Sequence, residues 1–217
     1  MHIPRRVLLA LMTAALAGCS ESSAAQARPP AASAAAQPAF PMMIAKPLMQ
    51  GTQVGKSMFK PGDTAGGGQG QTVDGISAAG MEALAYHIHA HLSLFYRGRQ
   101  IAIPAAIGIV APREAGTGFV GGGSAFYWIH THDATGIIHI ESPVDRRFTL
   151  GQFFDIWGEP LDAGDVAGLD GKVRAFVDGV PYSGDPRAIK LRPHVQITLE
   201  VGSPLIAPPA YSFPKGL

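Results

Sequence analysis

Six of the eight histidines of this chain lie in three short segments, and their spacing constrains the fold more than any other feature. In the segments YHIHAHLSLFY and WIHTHD, histidine recurs at every second position, and the third segment reads GIIHIES. Successive side chains of a β-strand point to opposite faces. The spacing therefore predicts strands that carry histidines on one face and mostly apolar residues on the other. The six residues are His87, His89, His91, His130, His132 and His139.

The second and third segments are predicted to pair as a hairpin, because the turn sequence DATG (133–136) separates them. If the middle pair of DATG forms the turn, His130 faces His139. If the last pair forms it, His132 faces His139. Both registers place these three histidines and Glu141 on one face, whereas a bulge would send His139 to the other face. Directly opposed Cβ atoms are about 5 Å apart, so two imidazoles could share one metal ion.

The first segment allows two interpretations. As a strand, it places His87, His89 and His91 on one face. As a helix continuing from Ile76, it pairs His87 with His91 at positions i and i+4 and turns His89 away. We favour the strand, and both interpretations predict an edge with at least two histidines.

We expect the six histidines to bind a transition metal. Imidazole suits zinc, copper and iron, with zinc and copper as the leading candidates. Glu141 and Asp133 are candidates for orienting a ligating imidazole through its second ring nitrogen, although Asp133 is equally suited to forming the turn. The alternative is that the histidines are solvated on an exposed face or satisfied by backbone hydrogen bonds. For His194, at the start of a predicted strand, burial with a backbone hydrogen bond is the favoured interpretation.

The N-terminal residues 1–18 are typical of an export signal. Two arginines at positions 5 and 6 precede an apolar run at 7–17. That run is too short to span a bilayer, which requires ~20 apolar residues. The run ends in LAGC (16–19), which resembles the lipobox of bacterial lipoproteins. The resemblance implies that Cys19 becomes the mature, lipidated N-terminus and anchors the protein in a membrane. The serine that follows implies the outer membrane, facing the periplasm, or the cell surface.

Four regions are therefore predicted. A signal peptide (1–18) precedes the lipidated cysteine and a flexible tether of Ala, Ser, Gln and Pro (19–41), which has too little apolar bulk to pack. An irregular segment rich in Met and Gly follows (42–75), and residues 76–217 form the histidine-rich β domain.

The fold class is predicted to be mainly β, an antiparallel sandwich or barrel with one short helix at about 149–157. Residues 172–182 have the pattern of a second hairpin, and 195–201 alternate as a strand. For the helix, Thr149 and Gln152 are spaced as a capping box, and an apolar stripe ends at Trp157 before Gly158. This stripe is predicted to pack against a sheet face.

Composition excludes one class of partner. The chain has 17 Lys and Arg against 16 Asp and Glu, and no basic block follows the signal segment. Binding to nucleic acid needs a concentrated basic face, so we expect no nucleic-acid partner.

The segments HIHAHL, WIHTHDATGIIHIESP and FTLGQFFDIWG resemble an uncharacterised, secreted, histidine-rich domain of bacteria and archaea, which implies no established activity. The ligand spacing, His-x-His with a third histidine on a neighbouring strand, is similar to the zinc site of α-class carbonic anhydrases and to cupins. The other motifs of those two families are missing.

The sequence thus predicts a membrane-anchored, extracytoplasmic protein that binds copper or zinc for delivery or tolerance. Two alternatives remain open. One is an open-site metalloenzyme with three histidine ligands, in which a metal-bound water or O₂ acts on a small substrate. The other is an interaction module whose histidines sense pH by protonation near pH 6 to 7.

Overall fold

The computed structural model describes residues 44–217. The predicted signal peptide, Cys19 and the predicted tether lie outside the described residues, as do the first two methionines of the Met- and Gly-rich segment. No helix within 44–217 combines the length and apolar character needed to cross a membrane.

The described chain is mainly β, as predicted, with one α-helix in residues 44–217. Its strands are β1 (Lys46–Pro47), β2 (Ala78–Ala79), β3 (Tyr86–Tyr96), β4 (Arg99–Ile101), β5 (Ile109–Val110), β6 (Glu114–Ala115), β7 (Val120–Gly122), β8 (Ala125–Tyr127), β9 (Ile129–His130), β10 (Ile137–Ser142), β11 (Phe148–Thr149), β12 (Asp165–Val166), β13 (Leu169–Asp170), β14 (Val173–Val177), β15 (Val180–Tyr182), β16 (Lys190–Leu191), β17 (Gln196–Val201) and β18 (Tyr211–Ser212). The helix α1 spans Leu150–Trp157, and a 3₁₀ turn spans Pro186–Ala188.

A seven-stranded sheet organises the molecule. Its strand order is β15-β14-β17-β3-β10-β9, and β4 pairs with the end of β3. Most neighbours are antiparallel, but β17 runs parallel to β3. Among residues 44–217 the sheet has edge strands at β15 and β9, so it does not close on itself. Short two- and three-stranded sheets pack around it.

The long strand β3 settles the two interpretations of residues 76–91 in favour of the strand. Its first half pairs with β10 and its second half with β4, while β17 lies along its other edge. Ala90, Leu92 and Leu94 point to the core and are at most 1% exposed. The alternating apolar residues thus form the inner face, and the histidines lie on the opposite face.

The helix forms as its sequence predicts. The Thr149 side chain accepts a hydrogen bond from the Gln152 backbone, and the Gln152 side chain accepts one from the Thr149 backbone. Gly158 ends the helix in the left-handed conformation, with φ 81°. The buried stripe, including Phe153 and Trp157, joins the same core cluster as the apolar face of β3. The helix therefore packs against the face of the sheet that lies opposite the histidines.

The predicted hairpins are present with shorter strands. The 172–182 hairpin consists of β14 and β15, joined through Asp178 and Gly179, both with positive φ, as a two-residue turn of type I′ requires. The sequence also predicts one continuous strand over 126–132, but the structure divides it: β8 belongs to a separate small sheet with β2 and β5, and only β9 pairs with β10. The division falls at Trp128.

Candidate metal centre

Three neighbouring strands of the main sheet carry the histidines. His139 on β10 lies opposite His89 on β3 on one side and opposite His130 on β9 on the other. Glu141 lies opposite His87. The register of β9 and β10 is the one in which His130 faces His139. The pairing of β3 with β10 was not predicted, and it brings the first histidine-bearing segment next to the hairpin formed by the other two.

Ligand atoms converge in two overlapping groups. Within each group, one ligand atom per residue lies within 4.8 Å of every other. The first group contains His87, His89, His139 and Glu141, and the second contains His130, His132, His139 and Glu141. His139 and Glu141 belong to both, because β10 lies between β3 and β9.

The hydrogen bonds of His130 and His132 fix which ring nitrogen carries the proton. His130 Nδ1 lies 2.9 Å from the Tyr127 carbonyl, and His132 Nδ1 lies 2.6 Å from the Val120 carbonyl. A carbonyl can only accept, so both Nδ1 atoms carry a proton, and each Nε2 presents a lone pair when its ring is neutral. Those Nε2 atoms are 3.1 Å apart. Two Nε2 lone pairs at this distance repel each other unless a proton or a metal ion lies between them.

A carboxylate that the sequence analysis missed completes this side of the cluster. Glu82 Oε1 lies 3.3 Å from His132 Nε2 and 3.9 Å from His130 Nε2. Glu82 lies in an irregular stretch before β3, and its side chain is 34% exposed. Burial, and then the charge of Glu141, raise the pKa of Glu82. No periodic pattern marks this residue, because it belongs to neither a strand nor a helix.

The other side of the cluster is centred on His87. Its Nε2 lies 3.1 Å from His89 Nε2 and 3.1 Å from Glu141 Oε1. The same Glu141 oxygen lies 3.3 Å from His139 Nδ1, as expected for a carboxylate that orients an imidazole through its second nitrogen. Glu141 Oε2 is buried and has no hydrogen-bond partner among the described residues.

The contact distances match those around a bound ion. Zinc ligated at ~2.0–2.1 Å in a tetrahedron has neighbouring ligand atoms about 3.3 Å apart. Within each side of the cluster, neighbouring ligand atoms are 3.1 to 3.9 Å apart. Side chains already held at this separation need little rearrangement to close around a metal.

Burial keeps most of these rings neutral. Burial first, and then the neighbouring imidazoles, lower the pKa of His130 to about 3 and that of His89 to about 4. The pKa of His139 is well below its ordinary value for the same reasons. Neutral imidazole is the form that binds metals. These directions disfavour the pH-sensing alternative, which needs protonation near pH 6 to 7.

The alternative of exposed, solvated histidines is wrong for most of the cluster. His89, His130, His132 and His139 are at most 7% exposed, whereas the His87 side chain is 38% exposed. The cluster is therefore largely buried and reaches solvent at His87 on one side and at Glu82 on the other.

Aromatic rings enclose the His132 side of the cluster. The Phe119 ring stacks on His132, with centroids 4.7 Å apart and an interplanar angle of 8°. The Phe126 ring packs against His130 and His132. Behind His130, Gly108 has φ 72°, and a Cβ there would come within 2.4 Å of the Ile129 carbonyl oxygen. Only glycine therefore fits this backbone contact without strain.

Two predicted ligands or orienting groups lie apart from the cluster. His91 is buried, but its Nε2 donates to the Thr135 carbonyl at 2.9 Å and its ring packs on Tyr211. It belongs to neither ligand group. Asp133 accepts from the backbone and hydroxyl of Thr135 and from the Gly51 backbone. Asp133 thus forms the turn and ties an earlier loop to it.

His194 differs from its predicted burial. It is exposed, lies in a turn with φ 55° just before β17, and stacks on Phe213. Its Nε2 is 3.1 Å from the Leu217 carbonyl. The backbone hydrogen bond was expected, but the turn places the ring at the surface and outside the cluster.

No protein-family model, curated protein or solved structure matches this chain. Its function is therefore argued from the geometry of the site.

Proposed function

We propose that this protein is a membrane-anchored, extracytoplasmic metal-binding protein that uses its histidine cluster to bind copper or zinc for delivery or tolerance. One observation carries the metal site: the Nε2 lone pairs of His130 and His132 face each other at 3.1 Å in a buried site. Without a proton or a metal ion between the two Nε2 atoms, this arrangement leaves buried acceptors unsatisfied, at a cost of about 1–3 kcal/mol each.

The charges of the site support the same conclusion. Glu82 and Glu141 face the histidines, and within residues 44–217 neither forms a salt bridge with a lysine or arginine. A buried carboxylate such as Glu141 requires a compensating charge. A divalent cation held between the two carboxylates and the imidazoles supplies it.

The donor set favours copper, zinc or iron. Imidazole nitrogens and carboxylate oxygens suit these ions. The single cysteine of the chain, Cys19, is assigned to the lipid anchor, so thiolate-rich sites are excluded. Copper and zinc remain the leading ions.

Metal titration of the purified chain tests the proposal. The full-length protein is stripped with a chelator and titrated with Zn²⁺ or Cu²⁺, with affinity read by competition with a chromophoric chelator. His132→Ala removes one of the two facing lone pairs, and we expect metal affinity to fall at least 100-fold with the strand content by circular dichroism retained. His194→Asn is the matched control, because it removes a histidine outside the cluster at a position where asparagine tolerates positive φ. Equal affinity of the wild type and His132→Ala would refute the assignment.

The membrane anchor rests on the lipobox resemblance around Cys19. Expression of the full chain in a Gram-negative bacterium with an alkyne-tagged fatty acid tests it. We expect label and membrane association for the wild type, and loss of both for Cys19→Ala. Label that persists in Cys19→Ala, or none in the wild type, would refute the anchor and leave the metal site unaffected.

Catalysis at an open metal position is the second candidate. It is favoured by the partial exposure of Glu82, which makes this carboxylate a ligand that water or substrate could displace. In Co²⁺-loaded protein, the visible spectrum would then change when azide is added. A spectrum insensitive to azide would indicate filled coordination and favour binding over catalysis.

A further inference from the structure

The cluster contains more ligands than one ion can use. Ligand atoms of a single ion at ~2.1 Å lie at most about 4.2 Å from one another. The pair on β3, His87 and His89, and the pair His130 and His132 fall into separate groups of mutually close atoms. These pairs lie on opposite sides of β10, and neighbouring strands are about 4.8 Å apart.

The side centred on His87 has the features of a metal site in its own right. His87 Nε2 is within 3.1 Å of both His89 Nε2 and Glu141 Oε1, again the edge length of a tetrahedron around an ion. The buried Glu141 Oε2 has no hydrogen-bond partner among residues 44–217. It is an unpartnered acceptor inside the cluster, available to a cation.

His139 lies between the two sides. Its ring centroid is 4.6 Å from that of His89 and 4.6 Å from that of His132, with both rings nearly perpendicular to it. Its Nδ1 lies near Glu141 Oε1. A carboxylate can connect two neighbouring ions through its two oxygens, and Glu141 belongs to both groups of ligand atoms.

We propose that the cluster is a two-metal centre, with one transition-metal ion at His130 and His132 and a second at His87 and His89. His139 and Glu141 lie between the ions, and Glu82 completes the first site. The inference rests on the proposed metal-binding function.

Copper stoichiometry and spin coupling test the second site. The chelator-stripped full chain is loaded with excess Cu²⁺ and desalted. The number of copper ions per chain is then measured by elemental mass spectrometry. Electron paramagnetic resonance then reports whether two Cu²⁺ ions are close enough to couple. The same stoichiometry is measured with Zn²⁺. We expect two ions per chain and a coupled spectrum in the wild type.

Two variants and a control locate the ions. His87 is partly exposed, so His87→Ala should fold; we expect one ion and an uncoupled Cu²⁺ spectrum. His132→Ala should also retain one ion, without coupling. The control His194→Asn should retain two coupled ions. Circular dichroism checks that each variant is folded, and Glu141→Gln, which keeps the shape of the side chain, replaces any variant that is not.

The outcomes separate this inference from the proposed function. One tight ion in both the wild type and His87→Ala would overturn the second site but leave the metal-binding function intact. One ion in the wild type and none in His87→Ala would also overturn it, as would two uncoupled ions that both persist in His87→Ala. No tight ion in the wild type would refute both proposals.

Discussion

Replacing Glu200 by glutamine should change how the stability of this protein depends on pH. Glu200 lies on β17 opposite Arg174 and is 2% exposed. One of its oxygens accepts a long hydrogen bond of 3.4 Å from Ile206, and the other is buried without a partner among the described residues. Burial raises the pKa of Glu200 from 4.5 to about 7, with Ile206 and Arg174 opposing the shift.

The direction of this pH dependence follows from how many protons the folded and unfolded states bind. Below pH 4.5 the carboxyl is protonated in both the folded and unfolded chain and has no effect. Between pH 4.5 and about 7 the folded state holds a proton that the unfolded state has released, so the free energy of unfolding falls as pH rises. One pKa unit corresponds to about 1.4 kcal/mol. The full loss above pH 7 is therefore about 3 kcal/mol.

Glutamine stays neutral at every pH, so Glu200→Gln removes this loss. We expect the free energy of unfolding of the variant, relative to the wild type, to be about 3 kcal/mol higher at pH 8 than at pH 4.5. Urea denaturation of metal-free protein at several pH values measures it. Comparing the two proteins at each pH cancels the contribution of the histidine cluster.

The exposed Glu114 provides a matched control. Glu114→Gln also removes one carboxylate, but from a solvated position. Its free energy of unfolding, plotted against pH, should therefore run parallel to that of the wild type. A constant difference between the wild type and Glu200→Gln from pH 4.5 to 8 would refute the burial argument.

Three further substitutions test the local structure. Thr149→Ala removes the helix N-cap and should lower the free energy of unfolding by about 1 kcal/mol in urea denaturation; no loss would contradict the capping box. Gly108→Ala should lower the free energy of unfolding by about 1–3 kcal/mol, because its φ is positive and the new Cβ would contact the Ile129 carbonyl. It should also weaken metal binding, because His130 would be displaced. Unchanged thermal melting and an unchanged metal titration would refute this prediction. Asp133→Ala should lower the free energy of unfolding by about 3 kcal/mol, because a charged group loses its hydrogen bonds, and should leave metal affinity unchanged. A 10- to 100-fold loss of affinity would instead indicate that Asp133 orients a ligand.

Local patterns were sufficient where the interaction spans only a few residues. The capping box needs Thr149 and Gln152, three positions apart on one turn, and the structure forms it as predicted. The β14–β15 hairpin follows from Asp178-Gly179, whose positive φ values favour this turn. The register of β9 against β10 was narrowed to a few choices by the short loop between them, and one of these is observed.

Partners distant in the sequence could not be predicted in the same way. Glu82 contacts His132 across 50 positions because its irregular segment passes over the cluster, and no periodicity records that path. His91 shares the spacing of His87 and His89, but its neighbours Thr135 and Tyr211 turn its ring to other contacts. Equal spacing predicts a shared face, whereas the atoms that meet each ring depend on which chains pack there.

The sequence by itself determined that histidines would alternate with apolar residues on strands, because the side-chain period of a strand is a local property of the backbone. It also determined the helix that covers the inner face of the sheet. The tertiary structure alone decided that β3 pairs with β10, that Glu82 joins the cluster, and that the two histidine pairs lie on opposite sides of His139. The physical reason is that strand pairing depends on the packing of the whole core, so a candidate metal site shared by three strands forms only once those strands are neighbours.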